Sequence, residues 1–164
     1  MTQIWVGLGS NLDDPIGQLQ CAIQAFDASA DFCDIQVSSL YSSSPMGPQD
    51  QPDYVNAVLG AETALAPLAV LDALQAIENH QGRERKRHWG ERTLDLDLLL
   101  YGDKVIELPR LTVPHVGISD RDFVLKPLLE VAGDIQIPNK GRVSECLKQC
   151  QDFDLHRLDL GETA

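Results

Sequence analysis

In the segment TLDLDLLLY, residues 93–101, leucine and aspartate alternate. A period of two is the mark of a strand, because successive side chains of an extended backbone leave on opposite faces. Thr93, Asp95, Asp97 and Leu99 then share one face, and Leu94, Leu96, Leu98 and Leu100 share the other. The leucine face belongs to a core. The two aspartates project the same way, roughly 7 Å apart at the backbone. Carboxylates so placed repel each other unless a cation lies between them. Their hard oxygens suit Mg2+, which takes one or two carboxylates and completes its shell with water and substrate phosphates, or a pair of ions bridged between them. On spacing alone, an ordinary solvated polar face explains the pattern equally well.

The residues just before this strand break the tie. The chain carries 13 Lys and Arg against 25 Asp and Glu, a formal net charge of -12. Residues 1–82 hold ten acidic side chains and no Lys or Arg. Arg83, Arg85, Lys86, Arg87 and Arg92 then crowd into the approach to the aspartates. A chain this acidic repels nucleic acid as a whole, yet a local cationic cluster can hold one compact anion. Carboxylates, a divalent ion and arginine forks together are the equipment of polyphosphate chemistry.

A chain of 164 residues is expected to form one domain, 1–164. Its remaining periodicities place the carboxylate strand last in a β-α-β-β-α-β series. QIWVGL is a strand entering a turn at GSN, and Asp14-Pro15 open a helix striped by Ile16, Leu19, Ile23 and Phe26. DIQVSSLYSS reads as one strand in which Ser39 breaks the alternation, SPMGPQDQPD as a loop, and YVNAVLGAET as a strand. PLAVLDALQAIENHQG is a second helix with Gly82 just past its end. The fold class expected is α+β, a ferredoxin-like core with a C-terminal extension of short strands and helices (LTVPH, DFVLKPLLEVA, RVSECLKQCQ). No segment has the ~18 consecutive apolar residues of a membrane span. Without a basic, apolar leader at the N-terminus, a cytoplasmic location is expected. Cys21, Cys33, Cys146 and Cys150 form no CxxC pair; Cys146 and Cys150 share a helix face, where idle thiols are the default over a soft-metal site.

Three further clusters have both a bland and a functional reading. GLGSN lacks the third glycine of a dinucleotide fingerprint, so its glycines are expected to serve a tight turn. Tyr54 and Asn56 share a strand face, either as core residues or as a flat ring and an amide that hold a planar heterocycle. RLTVPH gathers Arg110, Thr112 and His115, whose imidazole could donate to phosphate. Glu78, late in the second helix, could bind a cation or orient an arginine.

Taken together, GLGSNL, GPQDQPDYVNAV, RTLDLDLLLYG, RLTVPH and RDFVLKPLLE resemble the 6-hydroxymethyl-7,8-dihydropterin pyrophosphokinases of folate biosynthesis, over roughly residues 4–132. The resemblance implies transfer of a diphosphate from ATP to a pterin alcohol. It implies Asp95 and Asp97 as ligands of two Mg2+ ions, and Arg83, Arg92 and His115 on the triphosphate. Gln75, Glu78, Arg85, Leu98, Arg110, Thr112 and Arg121 fall in its nucleotide site, with Leu98 beside the adenine. The pterin pocket would comprise Gly9, Ser43, Ser44, Met46, Tyr54, Asn56, Trp89 and Phe123. The ring would stack between Tyr54 and Phe123, Asn56 would read its edge, and Trp89 would close over it. Ser43-Ser44 replace a frequent Thr-Pro, and Val116 replaces a frequent aromatic residue. The implied partners are small molecules only, with no nucleic acid and no membrane, and the implied state is a monomer. Loops 43–53 and 83–90 are expected to act as lids. Two rival readings are a kinase or nucleotidyl transferase using the same metal pair, and a ferredoxin-like RNA-binding module. Reaction products separate the first, and the second is disfavoured by the acidic charge and 5% aromatic content.

Overall fold

The computed structural model describes residues 1–11, 14–43, 53–82, 94–150 and 155–158. A central antiparallel sheet is built from β1 (Thr2–Ser10), β2 (Phe32–Val37), β3 (Tyr41–Ser43), β4 (Tyr54–Thr63), β5 (Asp95–Tyr101) and β10 (His156–Arg157). The path runs β10-β3-β4-β1-β5, and β2 pairs the far half of β4. Two small hairpins lie outside it: β6 (Ile106–Glu107) with β7 (Thr112–Val113), and β8 (Gln136–Ile137) with β9 (Gly141–Arg142). The helices are α1 (Pro15–Ala28), α2 (Pro67–Gly82), α3 (Asp122–Ala132) and α4 (Val143–Gln149). No helix among the described residues is long and apolar enough to cross a membrane.

Helices pack on both sheet faces. One core joins Leu19, Ala22 and Phe26 of α1 and Val70 and Leu74 of α2 to Ile4, Val6, Leu8, Leu94, Leu96 and Leu98. The other joins Val124, Leu125 and Leu128 of α3 and Val143 and Cys146 of α4 to Trp5, Val58, Leu99 and Leu100. The period-two reading therefore holds through Leu98 and then fails. Leu100 lies with Leu99 on the α3 side, and Tyr101 returns to the α1–α2 side. The cause is a bulge: Trp5 pairs Leu100 while the adjacent Val6 pairs Leu98, leaving Leu99 without a partner in β1.

Other elements agree with the sequence reading with two changes. Asp14 caps α1, its carboxylate accepting from the Gly17 N–H at 3.3 Å with Pro15 at the first helical position. Gly82 is the last residue of α2 rather than its follower. The single strand expected across residues 34–43 is two, β2 and β3, interrupted at the Ser39 exception. There the Ser39 N–H and hydroxyl both donate to Glu130 Oε2 at 2.9 Å, and the Tyr41 hydroxyl donates to Glu130 Oε1 at 2.6 Å. This carboxylate on α3 supplies the partners that the interrupted ladder lacks.

That junction makes stability pH-dependent. Burial opposes charge on Glu130, but the hydrogen bonds from Tyr41 and Ser39 and the nearby Arg157 outweigh it and hold the carboxyl below its ordinary 4.5. A depressed carboxyl contributes stability above its unfolded-state value and loses it as pH falls through the folded one. Glu130→Gln is therefore expected to lower the denaturation midpoint at neutral pH, with the gap to wild type closing in acid. Burial, then the bond to Glu130 and its charge, push the Tyr41 hydroxyl up to about 12. Its contribution is present below the ordinary 10.0 and fades as pH climbs toward that raised value. Chemical denaturation as a function of pH checks both; a gap that does not narrow in acid contradicts the first.

Candidate active site

The second face is not fully covered. Beside α3, toward the Ser10 end of β1, lies a cavity of about 240 Å³ lined by Gly7, Leu8, Gly9, Ser43, Tyr54, Asn56, Ala57, Asp95, Asp97, Leu99, His115, Arg121, Phe123 and Val124. Its floor exists because β1 lacks side chains there. Gly7 and Gly9 stand in mid-strand, and neither has the positive φ that would mark a turn residue. The expected tight turn is thus corrected: β1 runs through both glycines to Ser10. A Cβ on Gly9 would lie 3.3 Å from Asn56 Oδ1, and one on Gly7 would meet Leu99 at 3.4 Å.

One wall is polar and orientated. Asn56 is 5% exposed, and its Nδ2 donates to Ser43 Oγ at 2.7 Å. That bond fixes the amide, so Oδ1 is the atom facing Gly9 and the floor. Tyr54 comes to the same wall because it lies two residues before Asn56 on β4. Phe123, at the start of α3, brings a second ring to the cavity. The Arg121 guanidinium lies 5.8 Å from the Phe123 centroid, within cation–π range.

The opposite wall is β5, the sheet's edge strand, where Asp95 and Asp97 face the cavity as the alternation requires. Between them the Leu96 N–H points outward and donates to Glu78 Oε2 at 2.7 Å. Glu78, expected to bind a cation or orient an arginine, thus hydrogen-bonds α2 to the carboxylate strand. His115 Nε2 sits 3.8 Å from Asp97 Oδ1. Its Nδ1 accepts the Gly117 N–H at 3.1 Å, so the proton of the neutral imidazole is on Nε2, toward Asp97. Burial pushes His115 below its ordinary 6.5; Asp97 pulls the other way and Arg121 reinforces the depression. Arg110 donates to Asp72 Oδ1 at 2.6 Å and to Gln75 Oε1 at 3.4 Å, anchored to α2 next to the exposed Thr112 on β7.

The fold therefore brings Gly9, Ser43, Tyr54, Asn56, Asp95, Asp97, His115, Arg121 and Phe123 to one cavity. Gln75, Glu78, Arg110 and Thr112 lie beyond it along α2 and β7. The Leu98 side chain cannot join either group: it is 3% exposed in the α1–α2 core. Its backbone N–H shares the parity of the outward Leu96 N–H, so Leu98 meets the outer side of β5 by main chain alone. Ser44, Met46, Arg83, Arg85, Trp89 and Arg92 lie outside the described residues, as do 44–52 of the first expected lid and all of the second. Gly7, Leu8, Ala57, Leu99 and Val124 also line the cavity and were not expected as site residues, although Leu99 was placed on the face of the aspartates. For Gly7 the signal was the same as for Gly9, one period of two away. All four cysteines are free thiols.

Comparison with known proteins gives the family and the fold. A family model described as 7,8-dihydro-6-hydroxymethylpterin-pyrophosphokinase (HPPK) matches residues 5–133. A 2-amino-4-hydroxy-6-hydroxymethyldihydropteridine pyrophosphokinase of Haemophilus influenzae is 50% identical over 97% of this chain and 99% of its own length. That of Pseudomonas aeruginosa is 48% identical, covering 95% and 96%. Among solved structures, wild-type Plasmodium falciparum HPPK-DHPS superposes with a TM-score of 0.70 over 90% of this chain at 14% identity. The chain spans 44% of that longer protein, and the likeness is one of fold.

Proposed function

Because the chain belongs to the 7,8-dihydro-6-hydroxymethylpterin-pyrophosphokinase family, we propose that the cavity between β5 and α3 is where its reaction takes place. That reaction is transfer of pyrophosphate from ATP to 6-hydroxymethyl-7,8-dihydropterin in folate biosynthesis. The observation that carries the placement is the division of the cavity into an aromatic and amide wall and a carboxylate wall, with the glycine floor between them.

The pterin belongs against Tyr54, Asn56 and Phe123. Asn56 presents Oδ1, an acceptor, to the N–H-bearing edge of the ring, and Gly9 leaves room for it. Ser43 fixes that acceptor; Ser44, Met46 and Trp89 complete the pocket by family resemblance. ATP belongs along β5 and α2. Arg121 and the Nε2–H of His115 face its phosphates, with Arg83, Arg85 and Arg92 joining from the preceding segment. The Leu98 main chain, Gln75, Glu78, Arg110 and Thr112 serve the rest of the nucleotide. The hydroxymethyl oxygen attacks the β-phosphorus; its bond to phosphorus forms as the bond to the α-phosphate oxygen breaks, and AMP leaves. Alignment and charge neutralisation supply most of the acceleration. No side chain is nominated as general base.

Asp95 and Asp97 fit Mg2+. They are hard oxygen donors on one face, and among the described residues no cluster of three or more His, Cys, Asp or Glu side chains offers a closed cage. An ion that keeps water and phosphate ligands needs only such a pair. Two bound Mg2+ ions would neutralise the triphosphate and polarise the phosphorus under attack. We also read the sheet as ferredoxin-like, taking β2 and β3 as one interrupted strand in the order second-third-first-fourth. We also take the chain as a single domain over 1–164 acting as a monomer; the helices packed on both sheet faces support this reading.

The test is an assay of AMP release from MgATP with and without the pterin alcohol. AMP and pterin diphosphate are expected only when both substrates and Mg2+ are present, with EDTA stopping turnover and Mg2+ restoring it. ADP or free pyrophosphate as the product would instead support the rival nucleotide chemistries, and turnover indifferent to EDTA would remove the metal.

A further inference from the structure

The loop between β7 and α3 holds a buried residue whose missing side chain is occupied by another residue's charge. A Cβ built on Gly117 would lie 2.6 Å from Arg121 Nε and 2.7 Å from Arg121 Cζ. The guanidinium thus rests directly on the Gly117 backbone, and from there it reaches both the cavity and the Phe123 ring. Gly117 has φ -96 and ψ 6, a conformation open to residues with side chains, so glycine is not needed there for backbone reasons. The three atoms nearest to such a methyl group all belong to the far end of a flexible arginine. Gly117 also donates its N–H to His115 Nδ1, a bond that any residue except proline preserves.

We propose that Gly117 is a positioning residue: its bare backbone is the seat that sets where the Arg121 guanidinium meets the substrate phosphates. The inference rests on the placement of Arg121 against ATP given above. Substitution by alanine displaces the guanidinium outward while leaving the His115 tautomer and the backbone in place. The effect reaches catalysis through Arg121 alone.

The experiment is a double-mutant cycle of Gly117→Ala, Arg121→Ala and both together, measured as kcat and KM for MgATP. Arg121→Ala is expected to lose about 10- to 100-fold in kcat/KM, as for a charge-assisted contact. Gly117→Ala should lose about tenfold, and the double variant should match Arg121→Ala, the non-additivity of two residues acting through one contact. The imidazole 15N signals of Gly117→Ala should retain the wild-type tautomer pattern. Wild-type kinetics in Gly117→Ala with an impaired Arg121→Ala overturn the seat, as do additive losses. Wild-type kinetics in Arg121→Ala overturn the placement of Arg121 and the inference with it. Should Gly117→Ala not fold, the double variant decides: folding like Arg121→Ala supports the seat, and failing to fold overturns it.

Discussion

Asp97→Ala and Asp95→Ala should each lower turnover by about a thousandfold or more, the scale of removing a principal electrostatic group from a transition state. For Asp97 the loss should fall on kcat and on Mg2+ dependence rather than on folding. Asp97 has 48% of its side chain exposed, and its 3.8 Å contact with His115 is too long and too wet to hold structure. The imidazole there is depressed below its ordinary range and so is neutral at pH 7, which weakens the contact further. Removing its charge from beside Asp95 on the same face of β5 also relieves repulsion, so the thermal midpoint of the Asp97 variants should stay level or rise. Asp97→Asn keeps the shape and loses the charge; it should resemble alanine in activity if charge is what matters. Steady-state AMP release titrated with Mg2+, beside thermal denaturation, checks all three variants. Turnover within a few-fold of wild type would end the metal reading.

The aspartates were legible because a period of two is local: their common direction follows from the backbone of one strand. The same rule failed three residues after Asp97, at Leu100. A bulge opposite Trp5 and Val6 turns the strand over there, and nothing in LDLDLLLY announces it. The fate of Ser39 was visible as a break in alternation, but its partner Glu130 lies 91 residues away, a distance no window reads. Tyr54 and Asn56 were found together by the rule that found the aspartates. Joining them to Asp95 and Asp97 required the order β4-β1-β5, in which β1 brings the two strands to opposite sides of one floor. Glu78 shows the limit of reading a residue singly. Its meaning comes from the Leu96 N–H on a different element, and that bond exists only because β5 is an edge strand with outward amides to satisfy.

Gly9→Val should abolish productive pterin binding, raising KM for the pterin alcohol about a hundredfold or more, while ATP binding persists. The position is extended and mid-strand, where valine is locally preferred over glycine, so the strand itself gains from the change. The cost appears only in the cavity. Cβ would arrive 3.3 Å from Asn56 Oδ1, and the two γ-methyl groups beyond it have only the floor to occupy. They would cover the acceptor that Ser43 holds in place. Stability and function are then expected to move in opposite directions at one residue, as they do where a cavity is kept for a ligand. Gly60, on β4, is the internal control. A Cβ there would fall 2.2 Å from Trp5 Cζ3, inside the second core, so Gly60→Ala should destabilise by about 1–3 kcal/mol through overpacking. Pterin titration, nucleotide titration and denaturation of both variants separate a glycine kept for a substrate from one kept for a ring. Unaltered pterin affinity in Gly9→Val would move the pterin away from the floor between β4 and β5.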